Sequence, residues 1–125
     1  MTRRIEAIIR VEALDAVKNA LHGVGIIGMN IFEVRGHGRQ GGISMSWRGT
    51  AYTLDLLPKL QLNLILNEED LEKAIDAIVG AARTGKEGDD IIFIYPVEEV
   101  VRIRTGERGE DALTYPDSKE MTRGK

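Results

Sequence analysis

Leu60-Gln61-Leu62-Asn63-Leu64-Ile65-Leu66 is the stretch that decides the fold. Leucine recurs at every second position, which is the period of a β-strand that buries one face. Asn67 follows and is expected to cap a helix, because apolar side chains then recur at helical spacing. These apolar positions are Leu71, Ile75, Ile78 and Val79. Residues 91–95 predict the next strand, so this half of the chain has the order strand, helix, strand.

The first half of the chain repeats that order. Residues 5–9 predict a strand, and Leu14, Val17 and Leu21 then recur at the spacing of a helix that Gly23 and Gly25 end. Residues 29–34 predict a second strand, and residues 100–104 predict a short fifth one. A duplicated β-α-β unit indicates an α+β, ferredoxin-like βαββαβ fold with one antiparallel sheet. We expect one domain over residues 1–113, followed by a flexible tail, residues 114–125, that has no periodicity.

Both helices of such a fold cover the same face of the sheet. The other face carries apolar positions such as leucine or isoleucine on several strands and has no cover within one chain. Burial against further copies removes this surface from water, so the sequence predicts an oligomer.

The composition excludes several kinds of protein. The chain has 125 residues, a net charge of -3 and no cysteine. These values exclude disulfides and thiol chemistry and give no reason to expect nucleic acid as a partner. No apolar run approaches the roughly 18 residues that span a bilayer. We therefore expect a cytoplasmic protein without membrane insertion.

A long connection, residues 36–53, separates the second predicted strand from the third. Connections beyond about 12–15 residues are usually functional or disordered. This one holds five glycines, which favour mobility, yet it also holds the single tryptophan of the chain, Trp47. Large apolar side chains in a mobile loop are typical of a docking surface. The alternative is that Trp47 folds back onto its own domain.

Two features suit an anionic ligand. Glycines at Gly36, Gly38, Gly85 and Gly88 flank two turns, where backbone N–H groups can approach a phosphate closely. Arg102 and Arg104 are two residues apart, so in an extended segment both guanidinium groups would point to one face. Ordinary turns, and arginines paired with Glu98 or Glu99, explain the same residues without a ligand.

The chain resembles the nitrogen-regulatory PII signal proteins. The resemblance rests on five segments in the same order and spacing, and it extends from Arg4 to Leu113. The segments are 38–40, 48–52, 57–59, 82–89 and 102–109, which include Gly38-Arg39-Gln40 and Arg102-Ile103-Arg104-Thr105-Gly106.

The resemblance implies a homotrimer that binds ATP, ADP or AMP in clefts between subunits, and Mg²⁺ and 2-oxoglutarate beside the nucleotide. The implied nucleotide residues are Gly36, Gly38, Arg39, Gln40, Ile65, Gly88, Asp89, Asp90, Arg102 and Arg104. Gln40 corresponds to the residue that helps to hold Mg²⁺, and Lys59 to the cation that pairs with a 2-oxoglutarate carboxylate.

The resemblance also implies that a mobile effector loop, residues 37–54, docks onto an unidentified transporter, enzyme or regulator of nitrogen or carbon metabolism. The expected contact residues are Ile43, Met45, Trp47, Arg48 and Tyr52. Tyr52 matches a tyrosine that is nucleotidylated in some bacterial members. One departure concerns the ligand: the family continues the Gly88-Asp89 turn with glycine and lysine, whereas this chain has Asp90 and Ile91.

Three other functions remain as alternatives to a nucleotide-sensing regulator. A small ferredoxin-like hydrolase is disfavoured, because neither His22 nor His37 has a paired acid at motif spacing. An RNA-binding sheet needs aromatic residues on its central strands, and residues 5–9 and 60–66 contain none. An oligomeric scaffold with a degenerate ligand site is kept open by Asp90 and Ile91.

Overall fold

The computed structural model describes residues 1–37, 43–47, 50–54, 56–86 and 88–113. The strands are β1 Thr2–Ile9, β2 Asn30–Gly36, β3 Ile43–Trp47, β4 Thr50–Leu54, β5 Leu57–Asn67 and β6 Ile92–Val97. The helices are α1 Leu14–Gly23, α2 Leu71–Ala82 and the single turn α3 Glu110–Leu113. Short 3-10 turns, Val11–Ala13 and Glu68–Asp70, lead into α1 and α2.

Among the described residues, the main sheet has the strand order β2-β5-β1-β6, and neighbouring strands are antiparallel. β1 and β5 are central, and Ile5 is the Cα partner of both Leu64 and Ile94. This order, with α1 and α2 as the crossovers, confirms the predicted α+β ferredoxin-like fold.

The core lies between the sheet and the pair α1 and α2. The alternating leucines of β5 point to this side, as their period predicts, and pack with alternate residues of β1. Leu62, Leu64, Ile5, Ala7, Val17, Leu21, Ala74 and Ile78 are each at most 1% exposed. Burial of these side chains supplies the main favourable free energy of folding.

The uncovered face of the sheet is more polar than predicted. Directly paired residues share a face, and the partners of Arg4 and Glu6 on β5 are Ile65 and Asn63. Arg4 pairs with Glu6 at 2.7 Å and lies 4.7 Å from the ring centre of Tyr95. The exposed apolar side chains of this face are Phe32, Ile65, Phe93 and Tyr95. A second copy would therefore cover the aromatic rings of the edge strands β2 and β6 and the side chain of Ile65.

Two further predictions need correction. The long connection contains a second, two-stranded antiparallel sheet, in which Ile43 pairs with Leu54 and Trp47 with Thr50. The surrounding glycines led to its interpretation as irregular, although alternate residues of β3 are apolar. Asn67 has extended backbone angles and its side chain makes no capping hydrogen bond. The N–H of Glu68 donates instead to the carbonyl of Met1, at 2.9 Å.

Residues 100–104 do not form the predicted fifth strand. Only one isolated bridge, between Val101 and Arg108, is present there. The Gly106 N–H donates to the Arg102 carbonyl at 2.7 Å, which closes a turn, and the positive φ of Gly106, 75°, takes the backbone out of the extended region. In the described part of the chain, no helix is long and apolar enough to cross a membrane.

Candidate ligand-binding site

A turn between α2 and β6 is organised by one carboxylate, Asp89. Its Oδ2 accepts the backbone N–H groups of Thr84 and Gly85 at 2.7 and 2.8 Å. Its Oδ1 accepts the Thr84 hydroxyl at 2.5 Å and Nε of Arg10 at 3.2 Å. These bonds, those from Thr84 foremost, hold the pKa of Asp89 well below its ordinary value of 3.8.

The glycines of this turn are required by its backbone. Gly85 has φ 81° and Gly88 has φ 102°, in the region that side chains with a Cβ rarely adopt. A ring of backbone groups around such glycines can approach an anion closely. The predicted turn between Gly85 and Gly88 is therefore present, and its acidic member, Asp89, serves to hold the turn together.

Lys59 brings β5 to the same turn. Its side chain is 6% exposed, and its Nζ donates to the Gly88 carbonyl at 2.7 Å. Gly36, the last residue of β2, lies beside it, since a Cβ at Gly36 would be 3.7 Å from Lys59 Cγ. The structure thus brings Gly36, Lys59, Gly88 and Asp89 to one end of the sheet.

A second turn follows β6. Glu107 Oε1 accepts Nη1 of Arg102 at 2.8 Å and the Thr105 hydroxyl at 2.9 Å. Arg102 Nη2 also donates to the carbonyls of Asp111 and Ala112, at 3.3 and 3.0 Å. Arg104 is exposed and forms no ion pair with any described residue. The segment is a turn and is not extended, so the premise that placed Arg102 and Arg104 on one face does not hold. Arg102 contacts Glu107 and the carbonyls of α3, whereas Arg104 lies at the surface. That both bind a nucleotide stays a prediction.

Two other predicted nucleotide-binding residues, Ile65 and Asp90, do not belong to this cluster of side chains. Ile65 is 41% exposed on the uncovered face of the sheet. It is six residues along β5 from Lys59, which is about 20 Å in a strand. Asp90 is exposed, and it lies with Arg83 and Arg10 at an apolar cavity of about 460 Å³ between α2 and the β1 and β6 strands. Within one copy of the chain, Ile65 therefore lies too far from the Gly88 turn to contact it.

The structure does not describe the side chains of several predicted site residues. Gly38, Arg39, Gln40, Arg48 and the tail 114–125 lie outside the described residues. For Ile43, Met45, Trp47 and Tyr52 only the backbone is described, as parts of β3 and β4. The described residues hold no cluster of three or more His, Cys, Asp or Glu side chains that could bind a metal.

Sequence reasoning missed Arg10, Thr84 and Glu107. A signal for Thr84 was available: residues 84–89 and 105–110 both have the order Thr, Gly, two other residues, Gly, and an acidic residue. Glu107 has no such signal, because it aligns with Lys86 in this pattern. Arg10 bounds the first strand, but only the fold shows that the end of β1 meets the loop after α2.

Comparison with known proteins shows the family of the chain. The family model "Nitrogen regulatory protein P-II" matches residues 2–107. Nitrogen regulatory protein P-II of Cereibacter sphaeroides is 50% identical over 111 residues, covering 89% of this chain and 99% of the relative. P-II 1 of Methanothermobacter thermautotrophicus is 53% identical, covering 89% and 96%.

A solved structure has the same fold. The chain is similar to PII of Arabidopsis thaliana in its citrate-bound crystal structure, with a TM-score of 0.73 and 34% identity, over 89% of this chain and 91% of that one. Members of the family regulate partner proteins, form oligomers and are not enzymes. The chain therefore belongs to the nitrogen regulatory protein P-II family and is a signal-transduction regulator.

Proposed function

We propose that this regulator senses adenine nucleotides in clefts between the subunits of a homotrimer and controls a partner protein through the loop of residues 37–54. The observation that carries the proposal is the exposed Arg104, which forms no ion pair with any described residue. The nearby Arg102 pairs with Glu107, and Arg108 contacts Glu99. An exposed guanidinium on a preformed turn suits a phosphate of a second molecule, because the phosphate accepts bidentate hydrogen bonds from the guanidinium.

The separation of the site residues supports a cleft between subunits. Lys59, Gly88 and Asp89 cluster at one end of the sheet, whereas Ile65 is about 20 Å along β5 from Lys59. A nucleotide that contacts both groups would have to bridge two copies of the chain. The exposed aromatic residues Phe32, Phe93 and Tyr95 give the copies an apolar surface for that contact.

A carboxylate ligand would meet Lys59. Its ammonium group already donates to the Gly88 carbonyl, so a carboxylate would compete for a donor at the turn that would carry the phosphates. The Arabidopsis relative was crystallised with citrate, a polycarboxylate. This favours 2-oxoglutarate as a second ligand at Lys59. Gln40 would help to hold a Mg²⁺ ion, which would supply positive charge to the phosphates.

The loop is proposed to be the effector surface. β3 and β4 form an antiparallel ladder outside the main sheet, in which Met45 is the Cα partner of Tyr52. Its large residues are those of a docking surface, with Ile43, Met45, Trp47, Arg48 and Tyr52 as contacts and Tyr52 as a site of modification. The domain itself is proposed to extend over residues 1–113.

The first experiment separates ligand sensing from partner capture. Calorimetry with ATP, ADP and AMP, and light scattering, are carried out on the full chain and on a variant that lacks residues 42–52. We expect a trimer that binds nucleotide in both proteins, and loss of partner capture only in the shortened one. A monomer at micromolar concentration would contradict the cleft, and partner capture without the loop would place the interface elsewhere.

The same titration distinguishes a second candidate. Asp90 presents an exposed carboxylate where the family has glycine, which favours a scaffold with a degenerate ligand site. Absence of any thermal shift with the three nucleotides, in a chain that still captures its partner, would support the scaffold.

A further inference from the structure

Arg10 connects the end of a central strand to the Asp89 turn. It follows β1 directly, and its Nε lies 3.2 Å from Asp89 Oδ1. The two side chains are 19% and 23% exposed, so the pair is largely covered by the protein. The same Asp89 carboxylate accepts the N–H groups of Thr84 and Gly85. Arg10 is thus one side chain away from the backbone of the turn.

We propose that Arg10 is a positioning residue, which acts through Asp89 to hold the backbone of Thr84 and Gly85 in the conformation that receives a nucleotide phosphate. The inference rests on the proposed function, which names the ligand, but it adds a residue that does not itself touch the ligand. A guanidinium donates to a carboxylate with a fixed direction. It therefore fixes the rotamer of Asp89 and, with it, the two N–H groups that Asp89 accepts.

A second tether limits the effect of Arg10 to one part of the turn. Lys59 holds the Gly88 carbonyl from β5, the strand next to β1. Loss of Arg10 leaves this bond in place, so the turn should not detach from the sheet. It should loosen at Thr84 and Gly85, where only the Asp89 bonds hold the backbone N–H groups, and ligand affinity should fall with a small change in overall stability.

The chain supplies a matched control at the other end of the same strand. Arg3 pairs with Glu68 at 2.6 Å and so connects β1 to the segment before α2, as Arg10 connects it to the segment after α2. In both pairs, an arginine that lies in β1 or directly follows it contacts an acidic residue before or after α2. The Arg3 pair lies away from the Gly88 turn, so its removal measures what losing such an ion pair does to the fold alone.

The experiment compares Arg10→Ala, Arg10→Lys and Arg3→Ala in the full chain. Amide hydrogen exchange is followed at Thr84 and Gly85, ADP affinity is measured by calorimetry, and thermal unfolding is recorded for each variant. In Arg10→Ala we expect faster exchange at both amides and about tenfold weaker ADP binding, near the lower end for loss of a hydrogen bond between charged groups. Arg10→Lys should recover part of the affinity, and Arg3→Ala should bind ADP within about twofold of the wild type.

Two results would overturn the inference. One is unchanged ADP affinity in Arg10→Ala, even with faster exchange, because the turn would then need no bracing for the ligand. The other is an equal loss in Arg3→Ala, which would make the effect one of general stability. A wild-type chain that bound no adenine nucleotide would instead overturn the proposed function, and the ligand-positioning role of Arg10 would fall with it.

Discussion

The two Thr-Gly turns, residues 84–89 and 105–110, share one sequence pattern but expose different charges. In the turn of residues 84–89, Asp89 closes the loop and takes its cation, Arg10, from the end of β1. In the turn of residues 105–110, Glu107 binds Thr105 and takes its cation, Arg102, from just before the turn. Both turns use positive-φ glycines, at Gly85 and Gly88 and at Gly106 and Gly109.

The difference lies in what each turn leaves exposed. The first is tied to two strands of the sheet, through Arg10 and Lys59, and presents backbone around Gly88 with the carboxylate of Asp90 beside it. The second is held by contacts within residues 99–112 and presents the cation of Arg104. Similar local chemistry therefore produces one turn that exposes backbone and one that exposes a cation. Under the proposed function, the first would cradle the phosphates and the second would donate positive charge to them from another copy.

The largest expected effect comes from removing the cations of the second turn. Hydrogen bonds to a charged group contribute about 1.5–3 kcal/mol each, so Arg102→Ala with Arg104→Ala should weaken nucleotide binding at least about a hundredfold. Arg104→Ala alone should weaken binding with an unchanged midpoint of thermal unfolding. Arg102→Ala should lower both, because Arg102 also holds Glu107 and the carbonyls of α3.

Arg108→Ala is the control within the same turn, since Arg108 is 67% exposed at the side chain and contacts Glu99 at 3.5 Å. Calorimetry and thermal unfolding of the four variants measure these effects. Unchanged affinity in the double variant would show that the second turn does not bind the phosphates.

A smaller effect is expected from the acidic residue beside the first turn. Two unit charges about 6 Å apart interact by about 3 kcal/mol at an effective dielectric constant near 20, and solvent screening reduces this at exposed Asp90. In the proposed cleft, Asp90 would repel a triphosphate more than a diphosphate or monophosphate. We therefore expect this chain to favour ATP less than its relatives do, and to bind 2-oxoglutarate weakly when ATP is present.

Asp90→Gly with Ile91→Lys restores the residues that the family has here and should raise the ATP-to-ADP affinity ratio about tenfold. Titration of the wild type and the double variant with each nucleotide measures the ratio. Strong ATP preference in the wild type, unaltered by the double change, would contradict the electrostatic argument.

The effect that depends on pH concerns Asp89. Because its pKa is lowered in the folded chain, its contribution to stability is present above the unfolded value near 3.8 and is lost as the pH falls from there toward the folded-state pKa. Asp89→Asn should lower the midpoint of thermal unfolding at neutral pH and should flatten its fall below about pH 4. Asp90→Asn is the control and should keep the wild-type profile, because Asp90 is exposed and takes no part in the hydrogen bonds that Asp89 makes in the turn. Equal acid sensitivity in wild type and Asp89→Asn would show that the turn does not depend on the ionised carboxylate.

Much of the fold could be predicted because the sequence shows two clear hydrophobic periods, that of a β-strand and that of an α-helix. The alternation in residues 60–66 places Leu62 and Leu64 in the core, and the helical spacing of Val17, Leu21 and Ile78 places them opposite. The β3 and β4 ladder was missed because a five-residue strand beside glycines has few residues to establish a period. Residues 100–104 were assigned to a strand because apolar and β-branched residues occur there, but Gly106 and Glu107 close a turn that competes with extension.

By itself, the sequence determined the order of the four strands of the main sheet and the two long helices, the side of the sheet that is buried, and the turns that need glycine. These features depend on local backbone preference and on short periods. Only the tertiary structure decided which charges meet. Arg10 and Asp89 are separated by 79 positions, and Lys59 and Gly88 by 29. Both pairs form because β1 ends, and the antiparallel β5 begins, beside the loop that leaves α2. It also decided that Arg102 is committed and Arg104 exposed, because the direction of a side chain on a turn depends on the path of the backbone and not on spacing along the chain.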